Sequence, residues 1–272
     1  MWLIAHRPAP LHEFLRTPER VALAGDWHAN LAYGRKAIRH ARHRNADVIV
    51  HLGDFGFDFT DAFLDGLEEE LNEDEMVLGF VEGNHENYDS LLARALADDG
   101  LRYLRERIVH LPRGFRWRWG DTDCLAVGGA YSLDRVLRRP GKTWWPQEIL
   151  TEEQVGRIAD AGPTDAMFCH DCPAGVSVPE LANDRRGFPA EDIEAADVCR
   201  ERLRRLVDQV RPARLWHGHY HHRYQAMLDG GTYRTVVDGL GRDKQQIDNN
   251  MVVIPLAVLG AHRASRPAHA AD

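Results

Sequence analysis

Short runs of consecutive apolar residues alternate with amphipathic segments in the first part of the chain. Short apolar runs bounded by glycine or polar residues are typical of buried strands, and apolar residues at every third or fourth position are typical of helices. The predicted strands span 21–25, 47–53 and 76–82, and the predicted helices span 31–45, 61–71 and 88–97. This alternation of strands and helices favours a largely parallel sheet.

The second part of the chain is richer in strand patterns. Three successive runs at 108–111, 115–119 and 124–129 predict a meander, and a long helix at 191–210 ends before a proline. The remaining predicted elements are a helix at 147–159 and strands at 165–169, 215–216, 224–228, 233–237 and 251–259. Because no repeat or linker interrupts the pattern, we predict one domain over residues 1–260 and a flexible tail at 261–272.

The composition is that of a globular protein and excludes several classes. Hydrophobic residues make up 44% of the 272 positions, which is enough to build a core without disulfides. The longest apolar run, 251–261, has 11 residues, whereas a membrane-spanning helix needs about 20. The apolar start of the chain is too short for a secretion signal. We therefore expect a cytoplasmic protein with no membrane partner.

The net charge of −8 bears on the choice of partner. Stable binding to long nucleic acids requires many contacts between basic residues and phosphates, so an acidic chain argues against it. The same charge is compatible with a small phosphorylated substrate that is bound in a local site. The pattern carries no signal for an oligomeric state.

Five segments place aspartate, asparagine or histidine directly after a predicted strand, four of them beside a glycine. In open α/β sheets, sites lie outside the carboxyl ends of the strands, so we expect these side chains to converge. Their mixture of carboxylate, amide oxygen and imidazole suits manganese, iron or zinc. The residues concerned are Asp26, His28, Asp54, Asn84, His85, His170, His219 and His221.

The order of these segments resembles that of the calcineurin-like metallophosphoesterase superfamily. The pattern D-x-H, G-D, G-N-H-[DE], H and G-H-x-H is met in sequence between about residues 21 and 225. The local sequence is similar to that of a phage and actinobacterial branch of that superfamily. The resemblance implies an α/β fold built as a four-layer α-β-β-α sandwich with two mixed β-sheets, and two divalent metal ions. Manganese is favoured, and iron, zinc or magnesium are alternatives.

The resemblance also implies a role for each matching position. Asp26, His28 and His221 would hold one metal ion, Asn84, His170 and His219 would hold the second, and Asp54 would bridge both. His85 would stand near the leaving group and protonate it. A metal-bridging hydroxide would attack phosphorus, since bound metal lowers the pKa of water toward 7.

The second motif departs from the superfamily's usual G-D-x-x-D-R. Here it reads GDFGFDF over 53–59, so that Asp58 comes one residue late and the arginine is missing. Asp58, Glu86 and Asp89 are therefore the candidates for orienting His85. His217, two residues before a predicted ligand, could support that ligand from behind.

The loop 128–146 could supply the missing arginine. We predict substrate contacts from Tyr131 and Arg135, because arginine binds phosphate in a fork, and the tryptophans at 144–145 could stack on a base. The alternative interpretation is a solvated basic surface with the tryptophans packed beneath it.

These features predict a phosphodiesterase that acts on small, cyclic nucleotides. The altered G-D-x-x-D-R motif argues against a protein phosphatase, although a phosphomonoesterase stays open. A non-catalytic scaffold with the same fold should lack ligands, whereas all seven are present here. A third alternative is a mononuclear zinc protein that uses Cys169 and Cys172.

Overall fold

The computed structural model describes residues 12–73 and 75–260. The predicted tail at 261–272 lies outside the described residues. The described strands are β1 (Arg20–Ala24), β2 (Val48–His51), β3 (Val77–Phe80), β4 (Arg102–Tyr103), β5 (Ile108–His110), β6 (Arg116–Trp119), β7 (Thr122–Val127), β8 (Ala166–Cys169), β9 (Arg214–His217), β10 (Tyr224–Asp229), β11 (Arg234–Gly239) and β12 (Met251–Pro255).

The helices alternate with these strands. The α-helices are α1 (Leu31–His43), α2 (Asp61–Asn72), α3 (Tyr88–Leu92), α4 (Glu152–Asp160), α5 (Leu181–Asp184), α6 (Ala190–Val210), α7 (Ile247–Asn250) and α8 (Leu256–Leu259). Short 3₁₀ helices span Glu13–Leu15, Arg135–Leu137 and Pro146–Glu148. Over residues 12–73 and 75–260, no helix is both long enough and apolar enough to cross a membrane.

The strands form two six-stranded sheets with the same plan. The first has the order β12-β1-β2-β3-β5-β4 and the second β10-β11-β9-β8-β7-β6. In each sheet the four central strands are parallel and the two edge strands are antiparallel to their neighbours. The prediction of two mixed sheets is therefore confirmed.

The sheets pack face to face, and side-chain alternation divides the core into layers. In β1, Val21 and Leu23 join the cluster between the sheets, whereas Ala22 and Ala24 join the cluster beneath the outer helices. Because both faces of such a strand are buried, its sequence is a continuous run of apolar residues. Between the sheets, Phe168 stacks on Trp117 and Trp216 with ring centroids 5.4 and 5.6 Å apart.

Helices cover the outer face of each sheet and complete four layers. The buried side of α1 and α2 packs on the first sheet, and the buried side of α4 and α6 packs on the second. Three of these helices have a side-chain cap at the N-terminus. The side-chain carbonyl oxygen of Asn30 accepts the Tyr33 N–H at the start of α1, and the hydroxyls of Thr60 and Thr151 cap α2 and α4.

The predicted meander is wrong. Ile108–His110 pairs in parallel with β3 in the first sheet, whereas β6 and β7 form an antiparallel pair at the edge of the second. The chain changes sheets at residues 111–115, where apolar spacing looks the same on either side. Three boundaries also differ: helix 88–97 ends at Leu92, strand 251–259 ends at Pro255, and helix 147–159 begins only at Glu152, after the cap at Thr151.

Candidate metal centre

Five parallel strands end at one place between the two sheets. The ends of β1, β2 and β3 come from the first sheet, and the ends of β8 and β9 come from the second. The turns that follow carry every predicted ligand. Several of these turns are in the left-handed region: φ is 48° at His28, 52° at Asp54, 66° at His219 and 61° at His221. Non-glycine residues adopt this conformation at a cost of about 1 kcal/mol or more, and such strain is common at functional sites.

Two of the glycines beside ligands leave room for a carboxylate from another turn. A Cβ atom at Gly83 would lie 2.2 Å from Oδ1 of Asp54, and one at Gly218 would lie 2.2 Å from Oδ1 of Asp26. Both distances are far inside van der Waals contact. The glycines are therefore required by close approach between turns, which explains why they recur in the motifs.

Asp54 occupies the middle of the cluster. Its Oδ2 atom lies 3.6 Å from Nε2 of His28 and 3.9 Å from Nε2 of His85, and its Oδ1 atom lies 3.4 Å from Nε2 of His170. Burial opposes ionisation of Asp54, but the neighbouring imidazoles of His170, His85 and His28 outweigh it and hold its pKa well below the usual value. The carboxylate thus carries a negative charge that faces two different groups of ligands.

Asn84 and His170, which we call the inner pair, lie in the buried part of the cluster. The Nε2 atom of His170 is 3.0 Å from Oδ1 of Asn84, and its Nδ1 atom is 2.7 Å from the carbonyl oxygen of Leu52. A carbonyl oxygen only accepts, so Nδ1 carries the proton that it donates. His219 joins this pair, with its ring centroid 5.0 Å from that of His170.

The orientation of the Asn84 amide is fixed from behind. Its Nδ2 atom donates to Oγ of Ser132 at 3.0 Å, and that hydroxyl in turn donates to the Glu148 carboxylate at 2.9 Å. The amide oxygen is consequently the atom that faces the cluster. Ser132 was not singled out by the sequence, because a serine in a loop carries no motif.

His28 and His221, which we call the outer pair, lie with Asp26 on the more open side. One ligand atom from each of these three residues falls within 4.8 Å of the others. The Nε2 atom of His221 is 3.1 Å from Oδ2 of Asp26. Solvent reaches 17% of the His28 side chain and 32% of the His221 side chain, whereas Asp26 is fully buried.

The donor chemistry of the cluster fits divalent cations. Asp54 belongs to two further groups whose ligand atoms lie within 4.8 Å, one with His28 and His85 and one with Asp26 and His170. Lone pairs on imidazole, amide and carboxylate therefore face one another at short range, and only a proton or a cation between them is favourable. Where a proton takes that place, Asp54 raises the pKa of His170 to about 10, although burial alone would lower it.

Comparisons with known proteins agree with this geometry. A family model described as calcineurin-like phosphoesterase matches residues 19–223. The chain belongs to this family. Two solved structures are similar to it at low identity. TT1561 of Thermus thermophilus is 13% identical with a TM-score of 0.51, covering 88% of this chain and 99% of that one. A dimetal phosphatase from Danio rerio is 14% identical with a TM-score of 0.55, covering 88% and 93%.

At such identities the two structures establish the shared fold alone. No curated protein matches the sequence. Membership of the calcineurin-like phosphoesterase family implies a dinuclear centre of divalent ions, and the groups described above are candidates for holding it. It also supports phosphoester hydrolysis as the general activity.

Asp243 contributes to the centre from outside the segment that the family model covers. Its Oδ1 atom accepts from Nδ1 of His28 at 3.0 Å, and its Oδ2 atom accepts from Nδ2 of Asn30 at 2.8 Å. The backbone N–H of Asp243 donates to the carbonyl of Asp26. A carboxylate behind a ligand histidine fixes the imidazole tautomer and directs Nε2 to the metal. No local pattern indicated this role, because 215 residues separate Asp243 from His28.

The three candidates for orienting His85 have other partners. Asp58 accepts from the side-chain amide of Asn87, and Asp89 accepts from the indole of Trp145. Glu86 is buried and accepts the backbone N–H groups of Phe55 and Gly83 at 2.6 and 2.7 Å. It ties the Asp54 turn to the Asn84 turn.

Arg138 is the residue that the structure brings to His85. Its Nη2 atom lies 2.8 Å from Nε2 of His85, and its Nη1 atom donates to the carbonyl oxygen of Asn84 at 2.8 Å. Asp134 lies 2.7 Å from its Nε atom. The sequence indicated an arginine in this loop but pointed to Arg135, three positions away.

The other residues predicted near the site contact residues that are not predicted ligands. The guanidinium of Arg135 lies 4.4 Å above the Trp144 ring, and the hydroxyl of buried Tyr131 donates to Asp192. His217 is fully buried, and its ring nitrogens contact the carbonyl of Gly218 and the hydroxyl of Tyr224. None of these contacts involves a predicted ligand side chain.

The cysteines give no support to a mononuclear zinc site. Cys169 and Cys172 are fully buried in the cluster beneath α6, and burial raises the pKa of Cys172 to about 12. Among the residues that the structure describes, the groups able to hold a metal ion consist of aspartate and histidine and include no cysteine.

Proposed function

We propose that the protein is a phosphodiesterase that requires two divalent metal ions, favouring manganese, and acts on small nucleotides, cyclic ones included. The observation that carries the proposal is the position of the Asp54 carboxylate. One of its oxygens faces His28 and the other faces His170. A carboxylate placed in this way supports the assignment of a bridging ligand.

We assign the remaining ligands on the same grounds. Asp26, His28 and His221 would hold one ion, and Asn84, His170 and His219 would hold the other. When bound, such ions lower the pKa of water and neutralise charge on a phosphate group. The surrounding residues keep the lone pairs pointed inward, through Leu52 behind His170 and Asp243 behind His28.

His85 is proposed to donate a proton to the leaving alkoxide. Its side chain is 33% exposed, so a leaving group can reach it from solvent. The Arg138 guanidinium holds Nε2 of His85 as an acceptor. This atom can take a proton only when Arg138 has another partner. A phosphate oxygen is such a partner, because arginine forms charge-assisted hydrogen bonds with phosphate.

The charge around Arg138 supports a diester over a monoester. The guanidinium is already paired with Asp134 at 2.7 Å, so it adds little net positive charge to the entrance. A phosphodiester carries one negative charge, whereas a monoester near neutral pH carries between one and two. The smaller charge is matched better by a site whose arginine is already paired with a carboxylate.

The test is hydrolysis of bis(p-nitrophenyl) phosphate, p-nitrophenyl phosphate and a cyclic nucleotide by chelated protein before and after manganese is restored. We expect manganese-dependent cleavage of the diesters, with Asp54→Asn slower by about a thousandfold, equivalent to about 4 kcal/mol. Asp61→Asn, an 88% exposed carboxylate at the start of α2, is the matched control. Preference for the monoester would overturn the diester assignment, and no cleavage with metal bound would favour the scaffold.

A further inference from the structure

The altered motif over residues 53–59 contains three phenylalanines with different environments. Phe55 and Phe59 are 0% and 3% exposed and belong to the core beneath α1 and α2. Phe57 lies between them in sequence and is 40% exposed. Its ring centroid is 5.7 Å from that of His85 and 6.5 Å from that of His28. An exposed aromatic ring thus borders both a candidate ligand and the proposed proton donor.

The backbone that carries Phe57 is held on both sides. Glu86 accepts the N–H of Phe55, and the carbonyl oxygen of Phe57 accepts the N–H of Asn87 at 2.7 Å. Asn87 also donates from its side chain to Asp58. The ring is therefore presented by a fixed turn. A single exposed apolar residue is ordinary on a protein surface, but the Phe57 ring lies beside two histidines of the candidate site.

We propose that Phe57 is a stacking platform for an aromatic group on the substrate, the base of a nucleotide, beside the phosphate site. The inference rests on the proposed function and extends it to the organic part of the substrate. A phenyl ring can stack on the face of any base. The proposal accordingly predicts preference for nucleoside esters over alkyl esters, with little discrimination among bases.

Two diesters with the same leaving group isolate this contact. Thymidine 5′-(p-nitrophenyl phosphate) and methyl p-nitrophenyl phosphate both release p-nitrophenolate, and they differ only in the group that stays on phosphorus. For Phe57→Ala we expect a rise in KM of about 5- to 150-fold for the thymidine ester, the range of base stacking on an aromatic side chain. The methyl ester should change less than about twofold, and Phe57→Trp should retain the thymidine preference.

Met227→Ala, which removes a 55% exposed apolar side chain from edge strand β10, is the matched control. Equal losses on both esters would show that Phe57 only supports His85, and no loss on either would show that it contacts neither; both results overturn the proposal.

A binding measurement separates this proposal from the proposed function. Calorimetric titration of the manganese-loaded protein with thymidine 5′-monophosphate, and with methyl phosphate as the reference, requires no turnover. If wild type cleaves neither ester, the phosphodiesterase assignment fails. Weaker binding of thymidine 5′-monophosphate to Phe57→Ala, with methyl phosphate unchanged, would still support the platform. Equal binding of both ligands to wild type and variant would overturn it.

Discussion

The inner and outer pairs of candidate ligands face the same Asp54 carboxylate, yet they are held in different ways. Asn84 and His170 are 4% and 0% exposed, and each is fixed by a partner behind it, Ser132 or the carbonyl of Leu52. His28 and His221 are partly exposed, and the hydrogen-bond partner of His28 is the Asp243 carboxylate. The inner pair is held by the core and the outer pair by a segment near the end of the domain.

The difference indicates which half of the centre tolerates change. Water can occupy a vacated position in the outer half, because solvent already reaches it. In the inner half, loss of a ligand leaves buried acceptors without a partner, and such groups cost about 1–3 kcal/mol each. We therefore expect loss of an inner ligand to reduce metal binding more than loss of an outer ligand.

Between the two pairs, the largest expected difference is that between His170→Ala and His221→Ala. We expect His170→Ala to lose one equivalent of metal and about a hundredfold in kcat/KM, equivalent to about 3 kcal/mol. His221→Ala should lose about tenfold and keep more metal, because water can replace its imidazole. Metal content by elemental analysis and diester hydrolysis test this. Equal losses in the two variants would show that burial does not distinguish the pairs.

Asp243→Asn tests the fixed partner of the outer pair. Removing a carboxylate behind a metal-binding histidine typically lowers metal affinity about 10- to 100-fold. We expect a loss near the lower end, because asparagine keeps an acceptor for Nδ1 of His28, and recovery of activity at high manganese concentration. Asp248→Asn is the control, since its carboxylate is 72% exposed and pairs with Arg44. Wild-type manganese affinity in Asp243→Asn would contradict the assignment.

Arg138→Met tests the guanidinium that lies beside His85 and Asn84. A hydrogen bond to a charged group contributes about 1.5 kcal/mol net, so KM for a diester should rise about tenfold with metal content unchanged. Arg135→Met removes a guanidinium from the 3₁₀ helix just before Arg138, where it stacks on Trp144, and should change KM less than about twofold. The reverse order of effects would restore Arg135 as the substrate contact.

The last effect concerns stability and not activity. His51 lies in β2 fully buried, and within the described chain neither ring nitrogen has a hydrogen-bond partner. Burial lowers its pKa from 6.5 to about 3. As the pH falls below 6.5, the unfolded chain gains a proton that the folded chain does not, so stability is lost.

His51→Leu should remove that loss. Between pH 7.5 and 5 the metal-free variant should gain about 2 kcal/mol relative to wild type in urea unfolding. Parallel pH dependences in the two proteins would show that His51 is not a buried neutral imidazole.

The turns that carry the candidate ligands were predictable because each combines two local signals. A buried strand of apolar residues is followed at once by a glycine and a metal-binding side chain, as in Gly53 and Asp54 or Gly218 and His219. Local signals also specified α2 and α4, whose caps at Thr60 and Thr151 are adjacent in sequence to the helices that they begin. The strand at 108–111 was predicted to belong to a meander with the next two strands, which was wrong because pairing partners are not encoded in apolar spacing.

Local sequence was enough to predict the alternation of strands and helices, the seven candidate ligands and the departure from G-D-x-x-D-R. Only the tertiary structure shows which residues contact the site side chains from outside the motifs: Ser132 contacts Asn84, Asp243 contacts His28 and Arg138 contacts His85. The tertiary structure also leaves the Phe57 side chain exposed to solvent while Phe55 and Phe59 are buried. The physical reason is range. Strand and turn preferences act between neighbours in sequence, whereas a hydrogen bond across the centre joins side chains as many as 215 residues apart.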